Sequence, residues 1–399
     1  MNGLRMTTRG ALGLDPDELV ACVSCGLCLP HCPTYRVTGL ELASPRGRIA
    51  AMRVVDSGAA PLDAVFVRAM DECVQCRGCE AACPSGVPFG HLMESTRAAI
   101  APRRPRLRRL VETLGYRGVL AHHRVLVAVS WLLLVAQRLR LVPRRYAATL
   151  PRLDMRRLAL RLRVPAGGTP DVWLFTGCVM DAWMRETHIA AARVVRATGA
   201  RPAVPGRGGD CCGALHVHAG RTDDARRLAR RVIASMPGAA PVLVDSAGCG
   251  AALRDYGHLL GTPEAAAFAA RVVDISSWLA QQPLLPLRPG GGRVVVQDPC
   301  HLRHVQRDHA GVRTVLGPAY ELVETDDDGL CCGAGGAYAA LQPALANDVR
   351  ARKVAALART GASVVCSANP GCTIHLRAAG LEVRHPVELL ADALEESPR

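Results

Sequence analysis

Two cysteine runs near the N-terminus have a spacing that can ligate iron–sulfur clusters. Each run has three cysteines at intervals of three residues, then a fourth cysteine four residues later that is followed directly by proline. In runs of this kind the first three cysteines wrap around one cubane, and the fourth ligates the other cluster. The pattern therefore predicts two [4Fe–4S] clusters. Their ligands are a first set, Cys22, Cys25, Cys28 and Cys83, and a second set, Cys73, Cys76, Cys79 and Cys32.

Other roles for these two runs fit less well. A zinc site uses two Cys-x-x-Cys pairs, and a third equally spaced cysteine has no place in a tetrahedral shell. Disulfides are not expected, because residues 1–20 show no secretory signal and the total of 17 cysteines is odd. The runs therefore indicate a bacterial-ferredoxin-type domain. Arg46, Arg48 and Arg77 lie near them in sequence; they are candidates for tuning the cluster potential or for meeting a partner, but solvated arginines are favoured.

The second half of the chain contains two further cysteine sets in an internal repeat. Each copy has a cysteine after an apolar run, a Cys-Cys-Gly motif, and a Gly-Cys after a second apolar run. Four thiolates per copy are enough for one more four-iron cluster, and they could also form a structural zinc shell. We predict one or two further iron–sulfur centres, with zinc as the alternative. The ligands are a third set, Cys178, Cys211, Cys212 and Cys249, and a fourth set, Cys300, Cys331, Cys332 and Cys372.

Strands and helices in alternation must position the third and fourth sets. Helical stretches at 223–235 and 344–359 follow the two Cys-Cys-Gly motifs, and they separate apolar runs of strand type. This alternation predicts parallel sheets, whose ligand sites gather at the carboxyl ends of the strands. The apolar runs begin at Val172, Val242, Val294 and Val364.

The first hundred residues predict a helical domain around the ferredoxin-type runs. Ser44 followed by Pro45 is typical of a helix N-terminus, and we expect this helix to continue to about Val55. A second helix is expected over 61–72. The whole chain then divides into an α-helical dicluster domain, a basic helical connector and a duplicated α/β domain with pseudo-two-fold repeats. The predicted boundaries are 1–100, 101–168, 169–290 and 291–399.

The connector carries the entire charge excess of the chain. Residues 101–165 contain 16 arginines and two acidic residues, a net charge of +14, which equals the formal charge of the whole chain. Such a segment suits an anionic lipid surface, an acidic protein face or nucleic acid, or it is a solvated connector without a partner. Nucleic acid is not expected, because few aromatic residues are interleaved with the arginines.

An amphipathic pattern runs through the same connector. Leu126, Trp131, Leu134 and Leu141 lie at helical spacing among the arginines, as in a helix that lies on a membrane or packs between domains. The most apolar stretch, 125–136, is shorter than the roughly 20 residues that a spanning helix needs. We therefore predict no transmembrane helix, and we expect peripheral contact with a membrane through residues 101–165.

Several cysteine and histidine residues fall outside the four sets. Cys366 is predicted to be a thiol in a strand core. His301, directly after Cys300, is a candidate ligand or a proton carrier near a quinone, but a core or supporting role is favoured for it and for its neighbours. The histidines near the cysteine sets are His216, His218, His301 and His304.

Motifs for flavin, nicotinamide or nucleoside triphosphate binding are missing from the sequence. No Gly-x-Gly-x-x-Gly opens a helix after a strand, and no Gly-x-x-x-x-Gly-Lys loop occurs. Gly333-Ala-Gly-Gly336 does not fit either pattern. Any hydride abstraction must therefore take place on another chain.

The order and spacing of these motifs resemble those of a known group of iron–sulfur proteins. The repeats are similar to those of the Cys-Cys-Gly subunit of heterodisulfide reductase and of the iron–sulfur subunits of membrane-associated 2-hydroxy-acid dehydrogenases, above all the bacterial glycolate oxidase family. The similarity extends over nearly the whole chain, and only the basic connector is a loose match. Besides the repeats it includes Cys22–Cys28, Cys32–Tyr35, Ser44–Ile49, Cys83–Gly86 and Val383–Leu389.

The resemblance implies an electron-transfer subunit. It would take electrons from an FAD-containing partner that oxidises glycolate and pass them toward the quinone pool, in the cytoplasm or on the inner face of the cell membrane. Lactate and glycerol 3-phosphate dehydrogenase complexes and a disulfide reductase are the alternatives. Heterodisulfide-reductase-type repeats end in Cys-x-x-Cys and hold noncubane clusters, whereas this chain has Ser246 and Asn369 at the first of those cysteines. This departure favours electron relay over disulfide chemistry.

Overall fold

The computed structural model describes residues 10–143, 150–165, 169–283, 285–327 and 329–395. Residues 144–149 and 166–168 of the predicted connector lie outside the described part of the chain. The fold has an N-terminal helical domain, a helical connector and two parallel sheets flanked by helices. The predicted fold class is confirmed.

The N-terminal domain is built from short helices around the two cysteine runs. The predicted helix after Ser44 is confirmed: the Ser44 Oγ accepts a bond of 3.0 Å from the Gly47 backbone N–H, and proline occupies the first turn. Met52, Met70, Leu92 and Met93 form the centre of the core. The helices are α1 Pro16–Val20, α2 Pro33–Thr38, α3 Pro45–Asp56, α4 Ala64–Asp71, α5 Gly78–Ala81 and α6 Phe89–Ile100, with a 3₁₀ turn at Glu41–Ala43.

The connector is helical and sharply bent. Its described elements are a 3₁₀ turn at Ala101–Arg103, α7 Arg106–Thr113, a π-helical segment Leu114–Leu120, α8 His123–Arg138 and α9 Met155–Leu158. Within the described chain, no single helix is long and apolar enough to cross a membrane. Among the described residues, one helix pair, Arg106–Leu120 and His123–Arg138, reaches that length and composition together, with a bend of 107° between its members.

The first sheet has four parallel strands in the order β2-β1-β3-β4. The predicted central strands β1 and β3 are buried along their whole length. The strands are β1 Val172–Phe175, β2 Pro202–Ala203, β3 Val242–Val244 and β4 Val272–Asp274. The helices are α10 Val179–Trp183, α11 Arg185–Ala197, α12 Ala214–His218, α13 Thr222–Ser235, α14 Ala247–Arg254, α15 Tyr256–Leu260, α16 Pro263–Ala270 and α17 Ile275–Leu279.

The second sheet has the same topology, with four parallel strands in the order β6-β5-β7-β8. The strands are β5 Arg293–Val296, β6 Glu321–Glu324, β7 Val364–Cys366 and β8 Glu382–Arg384. The helices are a π-helical segment His301–Gln306, α18 Ala310–Leu316, α19 Tyr338–Leu341, α20 Pro343–Arg359, α21 Pro370–Arg377 and α22 Pro386–Ala393.

The two sheets share one hydrophobic core. Leu174 and Leu243 of the first sheet and Val294 and Val296 of the second belong to the same buried cluster. Because apolar burial stabilises by about 25 cal/mol per Å², this shared core holds the two halves as one body. The carboxyl ends of their central strands are thereby fixed relative to each other.

Candidate iron–sulfur sites

The two N-terminal cysteine loops have the same unusual backbone conformation. Ser24 and Gly26 in the first loop have φ values of 57° and 87°. Gln75 and Arg77, at the equivalent positions of the second loop, have φ values of 58° and 59°. Residues other than glycine rarely adopt positive φ, and where they do so in a loop the site is usually a functional one. The shared conformation curls each loop around its three cysteines.

The second set is brought together as its predicted pairing requires. Cys79 lies in the electrostatic field of Cys76, Cys73 and Cys32, and its own burial raises the pKa of its thiol. Cys32 comes from the end of the first run, just before α2, and its Sγ lies 3.3 Å from the Thr34 Oγ1.

The first set lies nearer the surface than the second. Cys22, Cys28 and Cys83 are partly buried against one hydrophobic cluster, so the structure places the end of the second run on the same core as the first run. Cys25 is exposed, while the other sixteen cysteines are buried or partly buried. The first set therefore has a solvent-facing edge that the second set lacks.

Arg48 is not solvated as the sequence suggested, because its side chain is only 1% exposed. Its Nε donates to the Ala69 carbonyl at 2.8 Å, and its Nη1 donates to the Ala43 carbonyl at 2.6 Å and to the Thr34 Oγ1 at 3.2 Å. Thr34 in turn contacts Cys32. Arg48 therefore supports the segment that carries the crossing ligand of the second set.

The third set lies at the carboxyl edge of the first sheet, where the parallel topology predicts a ligand site. Cys178 follows β1, and Cys249 lies in the first turn of α14 after β3. The thiol of Cys211 contacts that of Cys178, and the Cys212 and Cys249 Sγ atoms are 3.3 Å apart. All four cysteines of the third set thus come together.

The fourth set is the counterpart of the third on the second sheet. Cys331 is in contact with the thiols of Cys300 and Cys332, and Cys332 is in contact with that of Cys372. The four sulfurs form a continuous group at the end of β5 and the start of α21.

Cys-Cys-Gly motifs need their glycines for a tight turn. Gly213 and Gly333 have φ values of 81° and 87°, in the left-handed region that glycine adopts without strain. A Cβ on Gly333 would lie 2.6 Å from the Ala346 carbonyl oxygen in α20. The Gly333 backbone N–H also points at the Cys331 Sγ, with a distance of 3.3 Å. The glycine therefore lets the paired cysteines lie close to the following helix. It also lets a backbone N–H face a cysteine sulfur.

Iron–sulfur clusters fit these four sets by the chemistry of the donors. Every member is a cysteine, and soft thiolates in fours select iron–sulfur clusters or zinc. Among the described residues, no three His, Cys, Asp or Glu side chains have the compact arrangement that holds a single metal ion. By donor chemistry alone, the third and fourth sets fit an iron–sulfur cluster or zinc.

The histidines near the cysteine sets have supporting positions. The fully buried His216 has its Nε2 3.0 Å from the Tyr116 carbonyl, and burial lowers its pKa to about 4, so it is a core histidine. The rings of His218 and His301 stack with centroids 5.8 Å apart, and the His301 Nδ1 lies 3.8 Å from the Cys300 Sγ. His304 lies close to Gly78 of the second cysteine loop.

Cys366 has the role that its sequence position predicted. It is fully buried in β7 and belongs to the core shared by the two sheets. Burial strongly raises the pKa of its thiol, so the side chain is neutral and behaves as a small apolar residue.

Arg97 is a structural anchor that no sequence pattern indicated. It is buried, and its Nη2 donates to the carbonyls of Met70 and Cys73 at 2.8 and 2.7 Å. Its Nη1 donates to the Gln75 Oε1 at 3.0 Å and to the His218 carbonyl at 2.8 Å. One side chain thereby joins the second cysteine loop to the first sheet domain.

The four sets are not spaced independently through the molecule. Cys76 of the second set contacts Cys331 of the fourth set, and both lie in one hydrophobic cluster together with Val74 and Tyr338. Cys178 and Cys211 of the third set instead pack against the connector. The second set therefore adjoins the fourth, and the third set adjoins the connector.

Comparison with known proteins identifies the domains that contain the four sets. The sequence model of the 4Fe-4S dicluster domain matches residues 18–87, and that of the cysteine-rich domain matches residues 172–254 and 294–377. The chain is 32% identical to the probable glycolate oxidase iron-sulfur subunit of Bacillus subtilis, over 96% of this chain and 95% of that protein. It is also 32% identical to the glycolate oxidase iron-sulfur subunit of Escherichia coli, over 97% of both chains. The chain belongs to the glycolate oxidase iron-sulfur subunit family.

Similarity reaches beyond the glycolate oxidase iron-sulfur subunit family at lower identity. One of the subunits of the dihydromethanophenazine:CoB–CoM heterodisulfide reductase of Methanosarcina barkeri is 28% identical over 97% of both chains. The dicluster domain and the two cysteine-rich domains identify the chain as an iron–sulfur protein.

Proposed function

We propose that this chain is the electron-transfer subunit of a complex that oxidises glycolate or a related 2-hydroxy acid. An FAD-containing partner subunit would abstract the hydride, and electrons would pass through this chain to a quinone. The full-length similarity to two glycolate oxidase iron-sulfur subunits supports this function. The lack of flavin and nicotinamide motifs in the sequence is consistent with a separate catalytic chain.

The proximity of Cys76 and Cys331, which lie in one buried cluster, is the observation that carries the proposed electron path. Because it joins the ferredoxin-type domain to the second sheet domain, a continuous path runs from the first set to the second and from there to the fourth. The fourth set adjoins the third through the loops before α14 and α21, which share a backbone hydrogen bond of 3.0 Å from the Ala247 N–H to the Ala368 carbonyl. The proposed order of the sets is first, second, fourth, third.

The donor end of this path would be the first set. Cys25 is exposed, and the apolar side chains of Val23 and Leu27 beside it are 69% and 57% exposed. Exposed apolar side chains next to a redox site are suited to a protein partner. The flavoprotein subunit is therefore proposed to dock over the loop that contains Cys25.

The acceptor end would be the connector and the membrane. On its inner side the connector packs Ala121 and Leu126 against Cys178 and Cys211. On its outer side it exposes apolar side chains among its arginines, and such a surface binds anionic lipid by apolar insertion and charge together. The exposed residues include Leu107, Leu110, Val111, Leu114, Leu132, Val135 and Leu139. The chain is accordingly proposed to be cytoplasmic and peripheral on the inner face of the membrane.

Purification of the complex under anaerobic conditions tests the function. The full chain should co-purify with a flavoprotein, and glycolate should reduce its clusters. Two cubanes give about eight irons per chain, and one or two further four-iron centres give about twelve or sixteen. Zinc together with only eight irons would reject centres in the third and fourth sets, and clusters that no 2-hydroxy acid reduces would reject the function.

A block in the fourth set tests the proposed order. With Cys331→Ala, glycolate should still reduce the first two clusters, and the centre of the third set should stay oxidised. In the control Cys178→Ala, all centres except that of the third set should be reduced. Full reduction of the third set in the Cys331→Ala complex would contradict the order.

Vesicle binding tests the proposed membrane contact. The complex should sediment with vesicles that contain phosphatidylglycerol, less so at high salt, and weakly when Leu107, Leu110, Leu132 and Leu139 are replaced by glutamine. Leu341→Gln, an exposed leucine of the second sheet domain, is the matched control. Equal binding by the connector variant and the control would reject the connector as the docking surface.

A further inference from the structure

Asn369 bridges the third and fourth sets with its side chain. Its Nδ2 lies 3.4 Å from the Sγ of Cys372 in the fourth set. Its Oδ1 accepts a bond of 3.1 Å from the Gly248 backbone N–H, directly before Cys249 of the third set. Gly248 and Cys372 belong to different sheet domains, so one amide group spans the boundary between the two cysteine-rich domains.

The orientation of this amide is fixed by its partners. A backbone N–H can only donate, so the Asn369 oxygen has to face Gly248, and the NH₂ group then faces the sulfur of Cys372. Gly248 and Gly371 flank the amide, and a Cβ on either would lie 3.4 or 3.3 Å from it. The absence of side chains at both glycines leaves a slot in which the amide lies.

Asn369 does not make the side-chain hydrogen bond that is usual at its position. It is the N-cap residue of α21, where an asparagine side chain normally accepts a hydrogen bond from the first turn of the helix. Here its side chain makes no such capping bond. The amide is instead directed at a cysteine ligand and at the neighbouring domain.

We propose that Asn369 is a positioning residue that raises the reduction potential of the cluster in the fourth set and couples this set to the third. Hydrogen bonds to the sulfurs tune cluster potentials. An N–H donor to a ligating sulfur stabilises the reduced cluster more than the oxidised one, because the reduced cluster is more negative. The same amide holds the Gly248–Cys249 segment of the third set against the fourth. This role depends on both sets holding clusters, as proposed above, but not on the identity of the hydroxy acid.

The two repeats differ at this position, which supplies a matched control. Ser246 is the N-cap residue of α14, at the position equivalent to Asn369. Among the described residues, no hydrogen bond joins the Ser246 hydroxyl to a cysteine sulfur. The repeats therefore predict unequal effects of substitution at these two N-cap positions.

Redox titration of the anaerobic full-length chain, followed by electron paramagnetic resonance, tests the proposal. Dithionite replaces the natural donor, so failure of the proposed function does not affect the result. In Asn369→Asp the oxygen that faces Gly248 is kept, and the N–H donor to Cys372 is replaced by a negative charge. In Asn369→Ala both contacts are lost, and Ser246→Ala is the control.

Both Asn369 variants should make one centre harder to reduce. The expected change is at least tenfold in its one-electron reduction equilibrium, or about 59 mV. The shift should be larger for Asn369→Asp, while Ser246→Ala keeps the wild-type potentials. Unchanged potentials in an Asn369→Asp chain with wild-type iron content would overturn the proposal, and so would an equal shift in Ser246→Ala.

Discussion

Single residues decide whether each cysteine set can form, and the glycines after the paired cysteines are a clear case. Gly333 combines positive φ with a close approach to α20. Gly380 has the same φ of 87°, but a Cβ there would meet no atom within 4 Å. A Cβ added at Gly380 would therefore have only the cost of the backbone conformation. A Cβ added at Gly333 would have that cost and also the cost of the close contact.

We expect Gly333→Ala to deplete the fourth set of iron and to lower stability by more than the roughly 1–3 kcal/mol of a non-glycine residue at positive φ. Gly380→Ala should show only the conformational cost and retain its iron. Iron content and the thermal midpoint of the anaerobic proteins measure the difference. Equal losses in the two variants would mean that the contact with Ala346 has no importance.

Asp274 gives the chain a predictable pH dependence. Burial raises its pKa to about 7, with a smaller contribution from the nearby Asp308. In the unfolded chain an aspartate has a pKa near 3.9, so the folded state binds more protons between about pH 4 and pH 7. Stability therefore falls as pH rises through this window.

Asp274→Asn should flatten this pH dependence. The asparagine oxygen can still accept from the Ser276 backbone N–H, which Asp274 caps at 2.9 Å. We expect the variant to lose less stability than the wild type between pH 5.5 and pH 7.5, by roughly 1.4 kcal/mol for each pH unit below pH 7. Thermal midpoints across this range test it, with Asp63→Asn, an exposed helix cap, as control. Parallel curves for wild type and Asp274→Asn would refute the assignment.

Single residues also mark the limit of what the sequence predicts. The cysteine spacing predicted that Cys32 pairs with the second run, and the structure places Cys32 near Cys79. The spacing could not distinguish Arg48, which is buried, from Arg46, which forms an exposed pair with Glu41. Both are arginines in the same helix turn, and only the packing of α3 against Ala43 and Ala69 separates them.

Helix α8 packs the connector against the third set. Leu126 on α8 is buried with Cys178 and Cys211, while Leu132 on the same helix is 69% exposed. The Trp183 Nε1 of α10 donates to the Ser130 Oγ of α8 at 2.8 Å. One face of α8 therefore belongs to the wall of the third set, and the opposite face is open.

Leu126→Ala should destabilise the chain by about 2–5 kcal/mol, the usual cost of a cavity in a core, and should loosen the third set. Leu132→Ala should change stability by less than about 0.5 kcal/mol. Thermal unfolding and the iron content of both variants measure this contrast. If the two substitutions had equal effects on stability and iron content, the packing of α8 on the third set would be wrong.

The central strands were predictable, whereas the edge strands were not. β1, β3, β5 and β7 are apolar runs that precede cysteines, and the alternation with helices identified them. β2 has two residues and β8 has one buried apolar residue between Glu382 and Arg384. Such short edge strands form only because a neighbouring strand pairs with them, so no local sequence pattern predicts them.

The whole molecule depends on the docking of the ferredoxin-type domain against both sheet domains. Arg97 joins it to the first sheet domain, and the contact between Cys76 and Cys331 joins it to the second. The proposed order of the four sets could not be predicted from the sequence, because it rests on contacts between residues more than a hundred positions apart.

Arg97→Met should lower stability by about 3 kcal/mol or more, because it leaves several buried carbonyl groups without a donor. The exposed Arg103 is the matched control, and Arg103→Met should be nearly neutral. Thermal unfolding and proteolysis between the domains provide the measurements. A stable, protease-resistant Arg97→Met protein would show that the domains dock without this side chain.

The exposure of Cys25 determines where oxidation of the chain begins in air. Oxidation of cysteine follows access and thiolate character, and sixteen of the seventeen cysteines are at least partly covered. Damage is therefore expected to begin at the first set, with Cys25, while the deeper sets remain intact. A sample exposed briefly to oxygen would keep most of its iron and its fold, and yet it would no longer accept electrons from the proposed flavoprotein partner.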